Sequence, residues 1–135
     1  MKTIYLALAL FVPSIATAQE HLIKKTREQV RTIQQETKSP LVYGRTGKMF
    51  IDNYDHFHSA NGPDLFCYYK GDTCLRVTAE RNISAIDSLR RELDLSAVKV
   101  KKNVWINKEA TVKIKLTTYR RLKKFDLIYS PTDKD

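Results

Sequence analysis

Glycine and proline are scarce, four of each in 135 residues, and the chain has two cysteines and one tryptophan. There is no glycine-rich phosphate loop, no serine-centred elbow, no His-Glu-x-x-His and no quartet of cysteines. Those gaps remove the common signatures of nucleotide binding, serine hydrolysis and zinc chemistry. Internal repeats and low-complexity tracts are missing too, which argues for one domain. Long apolar runs are also lacking: Ile4 to Val12 is nine residues, well short of the roughly 20 needed to span a bilayer. Negative charge is the other deficit, with 15 carboxylates against 24 Lys and Arg for a net charge of +9. Such an excess favours anionic partners or surfaces and says nothing about fold.

The first 18 residues read as a cleavable signal peptide. Lys2 gives a positive start, Ile4 to Val12 an apolar stretch, Pro13-Ser14 a break, and Ala16-Thr17-Ala18 a small-x-small cleavage site. Cutting after Ala18 leaves residues 19–135 as a single domain, and removing Lys2 lowers the net charge only to +8. The leader, followed by Gln19, is similar to those of exported proteins of Gram-negative bacteria. That implies a periplasmic or secreted protein in an oxidising compartment. The likeness stops at the processing site.

In such a compartment Cys67 and Cys74 are expected to pair. A two-residue hairpin turn at Lys70-Gly71 sets Tyr69 against Asp72, Tyr68 against Thr73 and Cys67 against Cys74. Opposed Cα atoms about 5.5 Å apart suit a disulfide. The Cys-x6-Cys spacing fits neither a redox helix nor a zinc knuckle.

Glu20 to Lys38 holds no Gly or Pro and repeats Leu22, Ile23, Val30 and Ile33 at near-helical intervals, predicting one amphipathic helix stopped at Ser39-Pro40. Leu41–Tyr43 and Met49–Ile51 are short strand candidates, and Asp52 to Asp64 has the composition of a loop. The hairpin is expected over Leu65–Tyr69 and Thr73–Ala79, with Phe66, Tyr68, Thr73, Leu75 and Val77 facing the core. A second helix opens at Asn82-Ile83-Ser84, with Ser84 as cap, and buries Ile83, Ile86, Leu89 and Leu93. After Leu95 the period becomes two, and three strands are implied. Apolar-in, polar-out alternation with two helices to spare predicts an α+β fold: a two-layer sandwich of an antiparallel sheet with one face covered by two amphipathic helices.

Between Ser96 and Ser130 ten Lys and Arg stand against Glu109 and Asp126. Strand parity places Lys99, Lys101, Lys113 and Lys115 on the solvent face, with Trp105 sharing the parity of Lys99 and Lys101. These five residues are the candidate binding face: ammonium groups for phosphate, carboxylate or sulfate, and an indole for stacking on a ring. The alternative is that the lysines guard sheet edges and solvate an open face. His56 and His58 in an extended run point the same way, and Asp52 or Asp64 could complete a metal shell with them. One His-x-His is a weak signal, and a polar surface loop is the favoured alternative.

The pattern implies no cofactor. Three functions are compatible with it. The leading one is a small exported non-enzymatic binding protein whose basic sheet face meets an anionic polymer or acidic protein. The second is a metal- or His-dependent hydrolase centred on His56 and His58. The third is a protein-binding inhibitor or adaptor that docks through a strand edge or the hairpin.

Overall fold

The computed structural model describes residues 19–36, 47–49, 52–58 and 64–132. The leader, the Leu41–Tyr43 strand candidate and the Ser39-Pro40 stop lie outside the described residues. The elements are α1 (Arg27–Glu36), β1 (Gly47–Met49), β2 (Asp52–Phe57), β3 (Asp64–Lys70), β4 (Thr73–Asn82), α2 (Ile86–Ser96), β5 (Ala97–Lys101), β6 (Val104–Asn107), β7 (Val112–Tyr119) and β8 (Lys124–Pro131). All eight strands form one antiparallel sheet in the order β1-β2-β3-β4-β8-β7-β6-β5. Each helix is thus followed by a four-strand meander, and the two meanders meet where β4 pairs with β8. This duplication of architecture is not visible as a sequence repeat.

The α+β expectation holds. Val30 of α1 and Leu89 and Leu93 of α2 share one core with Leu65, Cys67, Tyr69, Val77, Ala79, Ile114, Leu116, Phe125, Leu127 and Tyr129. Those strand residues share one side of the pleat, so both helices lie on the same face of the sheet.

The single helix expected over Glu20 to Lys38 is broken. A 3-10 turn covers Glu20–Leu22, and α1 begins only at Arg27. Between them the backbone is used by the sheet: Lys24 N donates to Cys74 O at 2.7 Å, Cys74 N donates to Lys25 O at 2.8 Å, and Thr26 bridges Thr73. Lys24 adopts a left-handed φ of 69° to make that turn. Thr26 then starts α1 with a reciprocal cap, its N–H donating to Gln29 Oε1 at 2.9 Å and its Oγ1 accepting from Gln29 N at 3.2 Å.

Strand β2 corrects the loop expected at Asp52 to Asp64. Its polar composition hid an alternation in which Asp55 and Phe57 face the core and Tyr54 and His56 face away. The inward carboxylate removed the apolar signal that pattern reading depends on.

The hairpin exists, but the turn falls one residue later than expected, at Gly71-Asp72, with Lys70 opposite Thr73 and Gly71 at φ +63°. A bulge between Tyr68 and Tyr69 shifts the register, so Cys74 opposes Tyr69 and Cys67 opposes Val77. The expected disulfide is therefore corrected to two buried free thiols. A hydrogen bond with Cys74, and then burial, push the Cys67 thiol well above its usual range. The core face is inverted as well: Leu65, Cys67 and Tyr69 are buried, and Phe66 and Tyr68 lie on the other side. On β4 the bulge makes buried Cys74 and Val77 three residues apart, breaking the strict alternation of Thr73, Leu75 and Val77.

Asn82, not Ser84, supplies the cap of the second helical segment, its side chain accepting Ser84 N at 2.9 Å. A 3-10 turn over Ile83–Ala85 then leads into α2. The final third contains four strands rather than three. Lys102-Asn103 turns the chain between β5 and β6, with Asn103 at φ 63°.

Candidate binding face

Neither described α-helix packs against the second face of the sheet, because both lie on the core side. Cross-strand partners share a face, so the pairing registers define its rows. One row runs His56, Phe66, Thr78, Ile128, Lys115, Val104 and Lys101. Beside it, Tyr54, Tyr68 and Arg76 occupy β2 to β4, and Ser130, Lys113, Ile106 and Val98 continue across β8 to β5. The Arg76 guanidinium lies 4.1 Å from the centroid of the Tyr68 ring, and Tyr54 and Tyr68 have centroids 5.8 Å apart. Lys101, Lys113 and Lys115 are exposed. Val104 is 8% exposed yet stands outside the helix-side core. Flanked by Lys101 and Lys115, it is a natural resting place for their methylene stems.

Lys101, Lys113 and Lys115 of the expected five thus come together. Trp105 does not join them, and its expected exposure is overturned. It is 1% exposed on the core side, opposite Ile114, and its Nε1–H donates to Asp94 Oδ1 at 2.9 Å. Lys99 pairs with Trp105 across β5 and β6 and so sits on the helix side at the sheet edge, its Nζ 5.9 Å from the indole centroid. The bulge between Lys99 and Lys101 is what separates them. Sequence reading placed Tyr54 in a loop and Tyr68 in the core, and did not join Arg76 to the face. The aromatic-rich composition around them was the available signal.

The histidines do converge, on a carboxylate. Asp64 Oδ1 lies 2.5 Å from His58 Nδ1, and Asp64 Oδ2 lies 3.4 Å from His56 Nε2. Burial raises the Asp64 carboxyl, but the interactions with His58 and His56 outweigh it and hold the group below its ordinary value. His56 is stacked on Phe66 with centroids 4.3 Å apart, and the His58 side chain is 60% exposed. Among the described residues no group of three or more His, Cys, Asp or Glu is placed to hold a metal ion. Asp52 begins β2, and its side chain lies outside the described residues.

On the same face, Glu80 pairs across the sheet with both Asp64 and Asp126 and accepts a hydrogen bond from Lys124 Nζ at 2.8 Å. Burial first, and Glu80 second, raise Asp126 from 3.8 to about 6. Its Oδ1 is shielded from solvent with no donor. Between those two values the folded protein holds a proton that the unfolded chain has released. Stability therefore falls as pH rises from about 4 to about 6, and the penalty is complete above that window. Asp126→Asn should stabilise the protein at pH 7.5 by about 1 kcal/mol, after screening of a half-exposed group, and leave it unchanged near pH 4. Thermal melts at the two pH values check this, and equal shifts at both would contradict it.

No protein-family model, curated protein or solved structure matches the chain. Its functional reading therefore rests on the geometry of its own residues.

Proposed function

We propose that this chain is a small exported binding protein, not an enzyme, whose second sheet face holds an anionic polymer. The observation that carries the reading is one face bearing Tyr54, Tyr68 and Arg76 on one side and Lys101, Lys113 and Lys115 on the other. From β2 to β7 is four strand spacings, roughly 19 Å, long enough to contact several units of an extended polymer. Cations neutralise the anionic groups, while the tyrosine rings stack on sugar or base planes. Among the described residues no helix is long and apolar enough to cross a membrane.

The test is affinity for a sulfated or uronate polysaccharide as a function of salt. Binding should weaken steeply as salt rises. Lys113→Glu combined with Lys115→Glu should reduce it about tenfold or more at low salt. Undiminished binding by that double variant would sink the reading.

A second reading, an inhibitor or adaptor docking through a strand edge, has one observation in its favour. Strand β5 is the last in the sheet and carries Val98 at 58% and Val100 at 55% exposure, with Leu95 beside it at 81%. A one-to-one complex with an acidic protein that survives the double lysine variant and is lost with Val98→Lys would move the function to that edge.

A further inference from the structure

At the end of the sheet where β5 turns into β6 and β7 leads to β8, a pocket of about 340 Å³ opens between α2 and the two connections. Ile83 and Ile86 give it an apolar wall, and Arg90, Lys102, Asn103 and Arg120 supply donors. Asp87 is the one carboxylate in the lining. Three cations thus share a space with a single acid.

Arg90 is the informative member. Its Nη2 donates to Asn103 Oδ1 at 3.0 Å, while its Nε is shielded from solvent without an acceptor. Among the described residues no carboxylate stands within 4.0 Å of the charged nitrogens of Arg90, Lys102 or Arg120. A partly buried guanidinium loses hydration, and a carboxylate ordinarily compensates it. Here a neutral amide orients the guanidinium instead. Asn103 is itself pinned, at φ 63° with its carbonyl accepting Leu116 N at 2.9 Å, so the Arg90 fork is held in place before any ligand arrives. Exposed Lys101, Arg121 and Lys123 add positive field at the same connections.

We infer that this pocket is a binding site for a tetrahedral oxyanion, the phosphate or sulfate ester of a small ring compound. Arg120 offers a forked donor to the ester oxygens, Arg90 adds its positive charge and the guanidinium nitrogen that neither Asn103 nor burial takes up, and Lys102 adds a point charge. The Ile83 and Ile86 side accommodates the uncharged ring, and the volume lies in the range of small-molecule pockets. Asp87 opposes a second anionic group, which favours monoesters over bis-phosphorylated ligands. The site shares none of these lining residues with the second sheet face, so either reading can fail alone.

The full chain, titrated separately with inorganic phosphate and inorganic sulfate at ionic strength held constant with chloride, tests the inference. The Arg90 Nε–Hε resonance and the amides of Lys102, Asn103 and Arg120 should shift and saturate at millimolar anion. Lys102→Glu and Arg120→Glu, both at exposed positions, should each weaken that affinity about fivefold or more. A stronger response to one anion identifies the ester. Shifts that stay linear in concentration, or that are the same size in Arg120→Glu, would overturn the site.

Discussion

Asp55→Ala should destabilise the protein by about 3 to 5 kcal/mol, the range for removing one partner of a buried ion pair. Asp55 is 0% exposed. Its two oxygens accept from Arg31 Nε and Nη2, each at 2.9 Å, and Oδ2 also accepts from the Tyr69 hydroxyl at 3.2 Å. Arg27 Nε stands 3.9 Å from the same oxygen, with the guanidinium 4.4 Å from the Tyr69 ring centroid. Burial first, then the neighbouring Cys67 and Asp55, push the Tyr69 hydroxyl far above its usual range, so it remains a donor. Alanine would leave the Tyr69 hydroxyl and the Arg31 fork without their acceptor, and would take the nearby counter-charge from Arg27, whose Nε and Nη2 already lack a hydrogen-bond partner. Arg31 is 41% exposed and can recover some hydration, which places the loss toward the lower end of the range. In urea the midpoint should fall by roughly 2 M or more. Adding Arg31→Met to Asp55→Leu should restore much of the stability, because the carboxylate and its hydrogen-bonded guanidinium leave the site together and only Arg27, 26% exposed, stays. A loss under 1 kcal/mol for Asp55→Ala would show that the carboxylate does not tie α1 to β2.

That ion pair also explains which parts of the fold were legible. The β3–β4 hairpin, α2 and the final meander follow from apolar periodicity, since Leu89 and Leu93, and Ile114 and Leu116, fall where their elements require. Strand β2 does not follow, because its central inward residue is a carboxylate whose partners lie 24 and 14 positions away in sequence. Face assignments failed for two other reasons. On β3 and β6 the alternation is regular but the apolar Phe66, Tyr68, Val104 and Ile106 face away from the helices, and on β4 and β5 a bulge intervenes. A bulge moves one residue across the pleat, and every residue beyond it changes sides. The bulges at Tyr68/Tyr69 and Lys99/Lys101 leave no glycine or proline to mark them. The break between the 3-10 turn and α1 is likewise set from a distance, by the backbone of Cys74. For the binding face, Lys113 and Lys115 were legible because β7 is regular, whereas Tyr54, Tyr68 and Arg76 depended on β2 and on the bulged hairpin.

Trp105 gives the second large effect and a spectroscopic reading of the same inversion. On β6 the inward positions are Trp105 and Asn107, and the outward ones are Val104 and Ile106, the reverse of simple hydropathy. Asn107 can face inward because its Oδ1 accepts from Thr111 N at 2.8 Å and Val112 N at 2.9 Å, and its Nδ2 donates to Thr111 Oγ1 at 2.9 Å. The indole then occupies the space between α2 and Ile114, anchored by Asp94. Trp105→Ala should therefore cost about 3 to 5 kcal/mol, as emptying a large aromatic site does. Asp94→Ala should cost about 1 to 2 kcal/mol, since it leaves the Nε1–H without its acceptor. As the sole tryptophan, Trp105 should emit in the blue, resist quenching by acrylamide, and remain unchanged when an anionic polymer occupies the opposite face. Red-shifted, readily quenched emission that responds to polymer would return Trp105 to the surface and place the binding face on the side now assigned to the helices. Silent fluorescence together with salt-sensitive binding would instead require the ligand to meet Lys113 and Lys115 across the sheet from the indole.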